Sequence, residues 1–285
     1  MSILNLTPDS FSDGGRAQTD GSVSTRQNLE RHIRDGADIV DIGGQSSRPH
    51  APDVSADEEI ARILPTIREL NNLRLEPDAS MQTKRVSISV DTYRAPVAAA
   101  AIEAGADIVN DISAGQLDPD MLRTCAKLGC TVVLMHMRGT PSTMTSKTNT
   151  TYHGDLIATI AKELRQRVDE AQQAGIRRWR IILDPGIGFA KTGEQNLQIL
   201  KRLRELIEAK GLQNLPWVLG SSRKGFIGKL SGVKDPAARG YGTAATVAAA
   251  IAGGADVVRV HDVAEMKQVA AVSDAIWRSQ EDTPR

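Results

Sequence analysis

Gly36-Ala-Asp-Ile-Val40, Gly105-Ala-Asp-Ile-Val109 and Gly254-Ala-Asp-Val-Val258 are one phrase written three times. In each copy a helical stretch stops at glycine and a β-branched run begins. Glycine takes the left-handed conformation beyond a helix C-terminus without steric cost. The Ile/Val run that follows has the unbroken apolar character of a strand buried on both faces. Unequal spacing between the copies argues for repeated β/α units and against a short-period solenoid.

Working outward from this phrase predicts eight strands, at 3–6, 37–43, 85–91, 107–112, 131–136, 179–184, 216–221 and 256–261. Helices are expected near 24–35, 55–70, 94–104, 118–129, 153–175, 194–210, 239–253 and 262–278. Asp118-Pro119 reads as a capping acid before a proline at the first helical position, and Ser55 with Glu58 as a capping box. Strict alternation predicts a parallel sheet, and eight repeats predict its closure into a (β/α)₈ TIM barrel, a single domain over residues 1–285. An open doubly wound sheet is the alternative. It usually carries a glycine-rich fingerprint after its first strand, and Asn5-Leu-Thr-Pro-Asp-Ser10 is no such fingerprint. Residues 71–84 read as an exposed polar insertion, and 138–152 as a long loop after the fifth strand. A strand that opens at residue 3 fits a natural start and a segment trimmed from a longer polypeptide equally well.

Composition narrows the partners. Lys+Arg and Asp+Glu both total 35, so the formal net charge is zero and no basic excess favours nucleic acid. Any anion must be held by local groups. No stretch approaches the roughly 20 apolar residues of a membrane span, and the N-terminus lacks a signal-peptide pattern, so a soluble intracellular protein is expected. Cys125 and Cys130 read as buried reduced thiols, not as a disulfide or zinc framework. His32, His50 and His153 read as helix-surface or loop residues.

In a barrel, chemistry is built where strands end. Every predicted end here is polar or glycine-rich: Asn5; Gly43-Gly-Gln-Ser-Ser-Arg48; Asp91; Asn110-Asp111; His136; Asp184; Ser221-Ser-Arg-Lys224; and Arg259-Val-His-Asp262. Any one of them is explained by a helix cap, but eight converging on one mouth are not. Asp91 reads equally as a cap or a site residue. Asp184, followed by Pro-Gly-Ile-Gly-Phe189, sits in a loop that brings backbone close to a ligand, and its carboxylate can accept paired N–H groups of a heteroaromatic ring. Asn110 offers a donor and an acceptor. Arg259 and His261 alternate along the last strand and so share a face. Two cationic donors there need an anion, or else a carboxylate such as Asp262. Lys224 and Arg223 add positive charge, while Met135 and Met137 flank His136 as apolar walls. No zinc-ligand spacing is present.

These motifs, in this order, resemble the dihydropteroate synthase family. Asn5-Leu-Thr-Pro-Asp-Ser-Phe-Ser-Asp-Gly-Gly15 resembles its first signature and Ser46-Ser-Arg-Pro49 its second loop. Ser89-Val-Asp-Thr92, Val109-Asn-Asp-Ile112, Asp184-Pro-Gly-Ile-Gly-Phe189, Ser222-Arg-Lys224 and Arg259-Val-His-Asp262 complete the set, from Met1 to about Trp277. The resemblance implies a transferase of folate biosynthesis that joins 6-hydroxymethyl-7,8-dihydropterin pyrophosphate to p-aminobenzoate and releases pyrophosphate. It implies that Asp91, Asn110, Asp184 and Lys224 hold the pterin, with Met135 and Phe189 against it. Asn5, Arg259 and His261 would hold the pyrophosphate, with Mg²⁺ on Asn5 and Asp13. Asp9, Phe11 and Asp13 in one loop, and Ser47, Arg48 and Pro49 in another, would close over p-aminobenzoate beside Phe189, Ser222 and Lys224. Asp91, Lys224, Arg259, His261, Asp9 and Asp13 are the implied catalytic set.

The segment at 71–84 is similar to enlarged fungal members, in which this unit follows two other folate-pathway enzymes. A homodimer, sulfonamide inhibition and a cytoplasmic location, or a mitochondrial one for a fungal trifunctional parent, follow from the same resemblance. Two departures, Gln45-Ser-Ser47 and Gly225 after Lys224, bear on p-aminobenzoate affinity and not on activity. The rival readings are a pterin-binding methyltransferase barrel, which needs no pyrophosphate site, and a non-catalytic folate-binding domain.

Overall fold

The computed structural model describes residues 1–6, 21–46, 53–75 and 86–278. Strands β1 (Ser2–Asn5), β2 (Ile39–Gly43), β3 (Ser87–Asp91), β4 (Ile108–Asp111), β5 (Thr131–Met135) and β6 (Ile181–Asp184) pair in parallel and in chain order. Two further strands, β7 (Val218–Leu219) and β8 (Val257–Val258), pair with each other. Single parallel bridges complete the ring, Leu183 to Trp217 and Ser2 to Val260. The Ile3 N–H donates to the Val260 carbonyl at 3.0 Å, and that of Leu183 to Pro216 at 2.8 Å. The barrel is closed.

Around it run α1 (Gly21–Arg34), α2 (Ala56–Leu75), α3 (Ala95–Glu103), α4 (Met121–Leu128), α5 (Lys147–Thr150), α6 (Leu156–Gln173), α7 (Gly193–Lys201), α8 (Leu203–Ile207), α9 (Gly225–Ser231), α10 (Gly240–Ala252) and α11 (Val263–Trp277). Among the described residues, no helix is long and apolar enough to cross a membrane.

The thrice-written phrase works as its residues demand. Gly36, Gly105 and Gly254 have φ of +98°, +111° and +105°, a region costly to any residue with a β-carbon. The aspartate two residues on has a use that its sequence did not disclose. Asp107 accepts the Ile88 N–H at 2.8 Å, and Asp256 accepts that of Trp217 at 2.7 Å, so each clips the base of its strand to the neighbour before it.

The core has two parts, set by the period of two in each strand. Outward residues such as Val40, Ile42, Ile88, Val90 and Leu134 pack under the helices. Inward ones at the base, Ile39, Ile108, Val133, Ile182, Val218 and Val257, fill the barrel floor with Met1. Above that floor the inward positions turn polar.

Several expectations need correction. Asp118 serves two helices, for one carboxylate oxygen accepts the Asp120 N–H at 2.9 Å at the entry to α4, as its capping role requires. Its carboxylate accepts the Ala95 N–H at 2.7 Å at the start of α3, and Asp120 precedes α4. Only half of the capping box forms, because Ser55 accepts the Glu58 N–H at 3.1 Å while the Glu58 carboxylate takes Arg62. Part of the supposed insertion is helix: Leu73 is buried, and Arg74 ties α2 to Asp107 at 2.6 Å. Residues 76–85 lie outside the described set. The segment 138–152 holds the short helix α5, and α9 was not anticipated. His32 is buried, not on the helix surface; His153 is exposed as expected, and His50 lies outside the described residues. Both cysteines are free and buried.

Candidate functional site

Strand register stacks the inward polar residues. Asn5 pairs with Gly43, Gly43 with Asp91 and Asp91 with Asn110, forming one row across four strands. A β-carbon on Gly43 would lie 3.5 Å from both Asn5 Oδ1 and Asp91 Cβ, so this position stands between the two side chains in the row. One level down sits Asp41, fully buried. It accepts the Ser89 hydroxyl at 2.5 Å, the Asn110 amide at 3.0 Å and Arg259 Nε at 2.6 Å. Arg259 Nη2 also reaches Asp91 at 2.8 Å. The guanidinium thus crosses the barrel from β8 to join β2 and β3.

Burial pulls the Arg259 pKa down, but Asp41 and Asp91 outweigh it and hold it above the ordinary value. Burial raises Asp91 to about 7 against the pull of Arg259. Arg259 therefore meets neighbouring carboxylates, one of the two alternatives its sequence offered. Asp262 is not among them, because Arg223 takes it.

The far wall is the loop after β6. Met135 on β5 pairs with Asp184, which is buried and accepts the Gly186 N–H at 2.7 Å. A β-carbon on Gly186 would fall 2.1 Å from the His136 carbonyl, so only glycine lets the loop lie on β5. Burial raises the Asp184 pKa, opposed by that hydrogen bond and by Lys224, Arg259 and Lys191. Lys224 donates to the Ile187 carbonyl at 2.5 Å and stands over the Phe189 ring at 4.3 Å. Burial lowers the Lys224 pKa to about 8 although Asp184 counters it. Met135, Met137, Ile112 and Ala190 form an apolar cluster with Phe189 and Tyr93 at this end of the barrel. Ser222 Oγ meets His261 Nδ1 at 2.9 Å, which joins β7 to β8 on the inward side.

Asp184 and Arg259 therefore feel each other's charge across one mouth, and Asn5, Asp91, Asn110, Met135, Phe189, Ser222, Lys224 and His261 surround it. Other polar strand ends serve the loops. Asp111 takes the N–H groups of Ser113 and Gly115 at 2.7 and 2.6 Å, and Ser221 pairs with Thr246 at 2.8 Å. His136 turns away from the barrel to Glu163 at 2.9 Å. Asp9, Phe11, Asp13, Ser47, Arg48 and Pro49 lie outside the described residues. Described residues on either side of 47–52 are tied together. Gln45 bonds Asp53 across the gap at 2.7 Å, and Arg94 grips both, with Glu59 beneath.

Residues 1–261 match the pterin binding enzyme family. The chain belongs to that family. It is 48% identical over 278 residues to a dihydropteroate synthase of Synechocystis, covering 98% of this chain and 90% of that one. It is 46% identical to the folic acid synthesis protein fol1 of Pneumocystis carinii over 98% of this chain, which spans 36% of that relative's length. The fold matches the crystal structure of a Clostridium difficile dihydropteroate synthase in the presence of pteroic acid, with TM-score 0.83, 38% identity and coverage of 98% and 96%. These matches agree with the TIM barrel and with the family read from the motifs. Against this family's frame, Asp41 is the site residue that the sequence reading missed. An acid inside the apolar run Ile39-Val-Asp-Ile42 was its available signal, because that position shares the inward parity of Gly43.

A magnesium site has one described candidate ligand, the Asn5 side chain, with Asp13 outside the described residues. Among the described residues no group of three or more His, Cys, Asp or Glu side chains converges as a metal cage. The Asn5 amide oxygen is a hard donor of the kind Mg²⁺ accepts beside phosphate oxygens and water.

Proposed function

We propose that this chain condenses 6-hydroxymethyl-7,8-dihydropterin pyrophosphate with p-aminobenzoate, releasing pyrophosphate and forming 7,8-dihydropteroate. The observation that carries the reading is the connected mouth of Asp184, Lys224, Asp91, Asn110 and Arg259. It pairs carboxylate and amide acceptors for a nitrogen-rich ring with cations for a leaving anion. The names of the related enzymes support the same reaction.

In this reading Asp184 and Asn110 take the ring's N–H groups, with Met135 and Phe189 against its faces. Asn5, Arg259 and His261 receive the diphosphate, and Asn5 would help to hold a Mg²⁺ ion that would supply charge neutralisation to the leaving oxygens. The ring delocalises the cation that develops as the CH₂–O bond breaks, and ionised Asp91 stabilises it. The aniline nitrogen needs no strong base. Closure of the two loops that carry Asp9, Phe11 and Asp13 and Ser47, Arg48 and Pro49 would keep water from the cation. A pocket for p-aminobenzoate between these loops, Phe189, Ser222 and Lys224 makes sulfonamides competitive inhibitors. A methyltransferase or non-catalytic reading calls for no diphosphate beside Arg259 and His261.

Pyrophosphate release is expected only when both substrates and Mg²⁺ are present. Release without p-aminobenzoate dependence, or none at all, contradicts the proposal. The pH profile follows from two groups. Asp91 must be ionised, so activity rises as pH passes about 7; Lys224 must keep its proton, so activity falls above about 8. A kcat/KM profile flat from pH 6 to 9 would remove both assignments.

We further propose a homodimer. Exposed Leu230, Tyr241, Val272, Ile276 and Trp277 lie on α9, α10 and α11, whose last two helices pack together; sedimentation equilibrium reads the mass directly. A cytoplasmic location is proposed, or a mitochondrial one within a longer polypeptide, and cell fractionation distinguishes them.

A further inference from the structure

We infer that Lys191 is a positioning residue, whose ammonium fastens the pterin-facing loop to the end of β5. The inference rests on the function proposed above. The loop from Asp184 to Phe189 carries three parts of the site: the Asp184 carboxylate, the Ile187 carbonyl that receives Lys224, and the Phe189 ring. Its first end is set by strand pairing of Asp184 with Met135. Its second end has no such ladder and turns at Ala190, a non-glycine residue with φ of +50°. A residue with a β-carbon stays in that region only where its surroundings hold it there.

Asn196 Oδ1 accepts the Gly188 N–H at 2.7 Å, and two further side chains hold the turn itself. The Tyr152 hydroxyl donates to the Ala190 carbonyl at 3.0 Å. Lys191 Nζ reaches the Phe189 carbonyl at 2.9 Å, His136 Nδ1 at 2.9 Å and the His136 carbonyl at 3.3 Å. An ammonium has three N–H donors, and here three acceptors on two elements converge on it. Because the ring accepts at Nδ1, its proton sits on Nε2 and donates to Glu163 at 2.9 Å. Glu163 on α6 is gripped in turn by Arg138. The anchor therefore runs from the loop through β5 into the outer helix layer.

Lys191 is 8% exposed. A site with only a packing role would be filled by an apolar side chain, since a buried ammonium is costly to desolvate. One of its acceptors, the Phe189 carbonyl, belongs to the loop that carries the ring-binding groups, and the other two belong to His136 after β5.

The test uses steady-state kinetics on the full chain. Lys191→Met is expected to raise KM for the pterin substrate about tenfold, with kcat within about threefold of the parent. A purely structural lysine would instead lower the amount of folded enzyme, and so the maximal rate, at unchanged KM. Tyr152→Phe removes one hydroxyl from the same turn and should raise that KM about two- to threefold; it decides the matter if Lys191→Met does not fold. Unchanged KM in a folded Lys191→Met variant, or in Tyr152→Phe where that one fails to fold, overturns the inference. The parent is the control: if it releases no pyrophosphate with both substrates, the proposed function fails, and amide hydrogen exchange at residues 186–190 still reports whether Lys191 holds the loop.

Discussion

Arg259→Met is expected to cut turnover about a thousandfold and to destabilise the fold by about 3–5 kcal/mol. Both effects come from one place. Arg259 Nε and Nη2 engage Asp41 and Asp91 at 2.6 and 2.8 Å, and Asp41 is fully buried. Without the guanidinium, Asp41 keeps the Ser89 and Asn110 hydrogen bonds but loses its counter-charge inside the barrel. Breaking a buried pair by removing one partner costs more than the pair contributes, because the survivor is stranded.

Asp91 suffers too. Its pKa, near 7 against the pull of Arg259, rises further, so the group is protonated at neutral pH and cannot support a cation. The acid limb of the pH profile should then move upward. Adding Asp41→Asn to Arg259→Met should recover part of the stability and none of the turnover. Chemical denaturation and steady-state rates on the parent and the two variants check this. Equal turnover of Arg259→Met and the parent would remove Arg259 from the chemistry.

Asp184→Asn should lower kcat/KM for the pterin substrate about 10²- to 10³-fold, a loss of about 3–4 kcal/mol, with little change in stability. The amide oxygen can still accept the Gly186 N–H that the carboxylate takes at 2.7 Å. Its NH₂, however, would face a ring N–H with a donor where an acceptor is required. The substitution also removes a negative charge that raises the Lys224 pKa. Lys224 would therefore lose its proton below pH 8, and the alkaline limb should shift down. Isothermal titration with the pterin substrate separates the binding loss from the shift in pH profile.

How far the sequence could be read depends on the range of each interaction. The glycine phrase and the strand-end polarity are local signals; the first led to the barrel, and the second to polar residues that the closed barrel gathers at one end. Asp41 shares the inward parity of Gly43, which is legible, but it lies below the strand end and its partner Arg259 is 218 residues away in sequence. The clipping role of Asp107 and Asp256 needed knowledge of which strand lies alongside. Arg259 offered an anion or a carboxylate as its partner. What excludes Asp262 is Arg223, 39 residues upstream of that acid in sequence, and only the closed barrel brings them together. Lys191 carried no signal at all: its partner His136 lies 55 residues earlier and joins it only because β5 and β6 are neighbours. His32 read as surface because helical position alone does not show what packs above it.

The claim on which everything else depends is that one cavity grips a reduced pterin at one side and its diphosphate at the other. A crystal structure with pterin pyrophosphate and Mg²⁺ measures this directly. The expected density places the ring against Met135 within hydrogen-bonding reach of Asp184 and Asn110, and the diphosphate beside Asn5, Arg259 and His261. A ring bound elsewhere, or a diphosphate that leaves the junction of β8 and β1 untouched, would contradict the account.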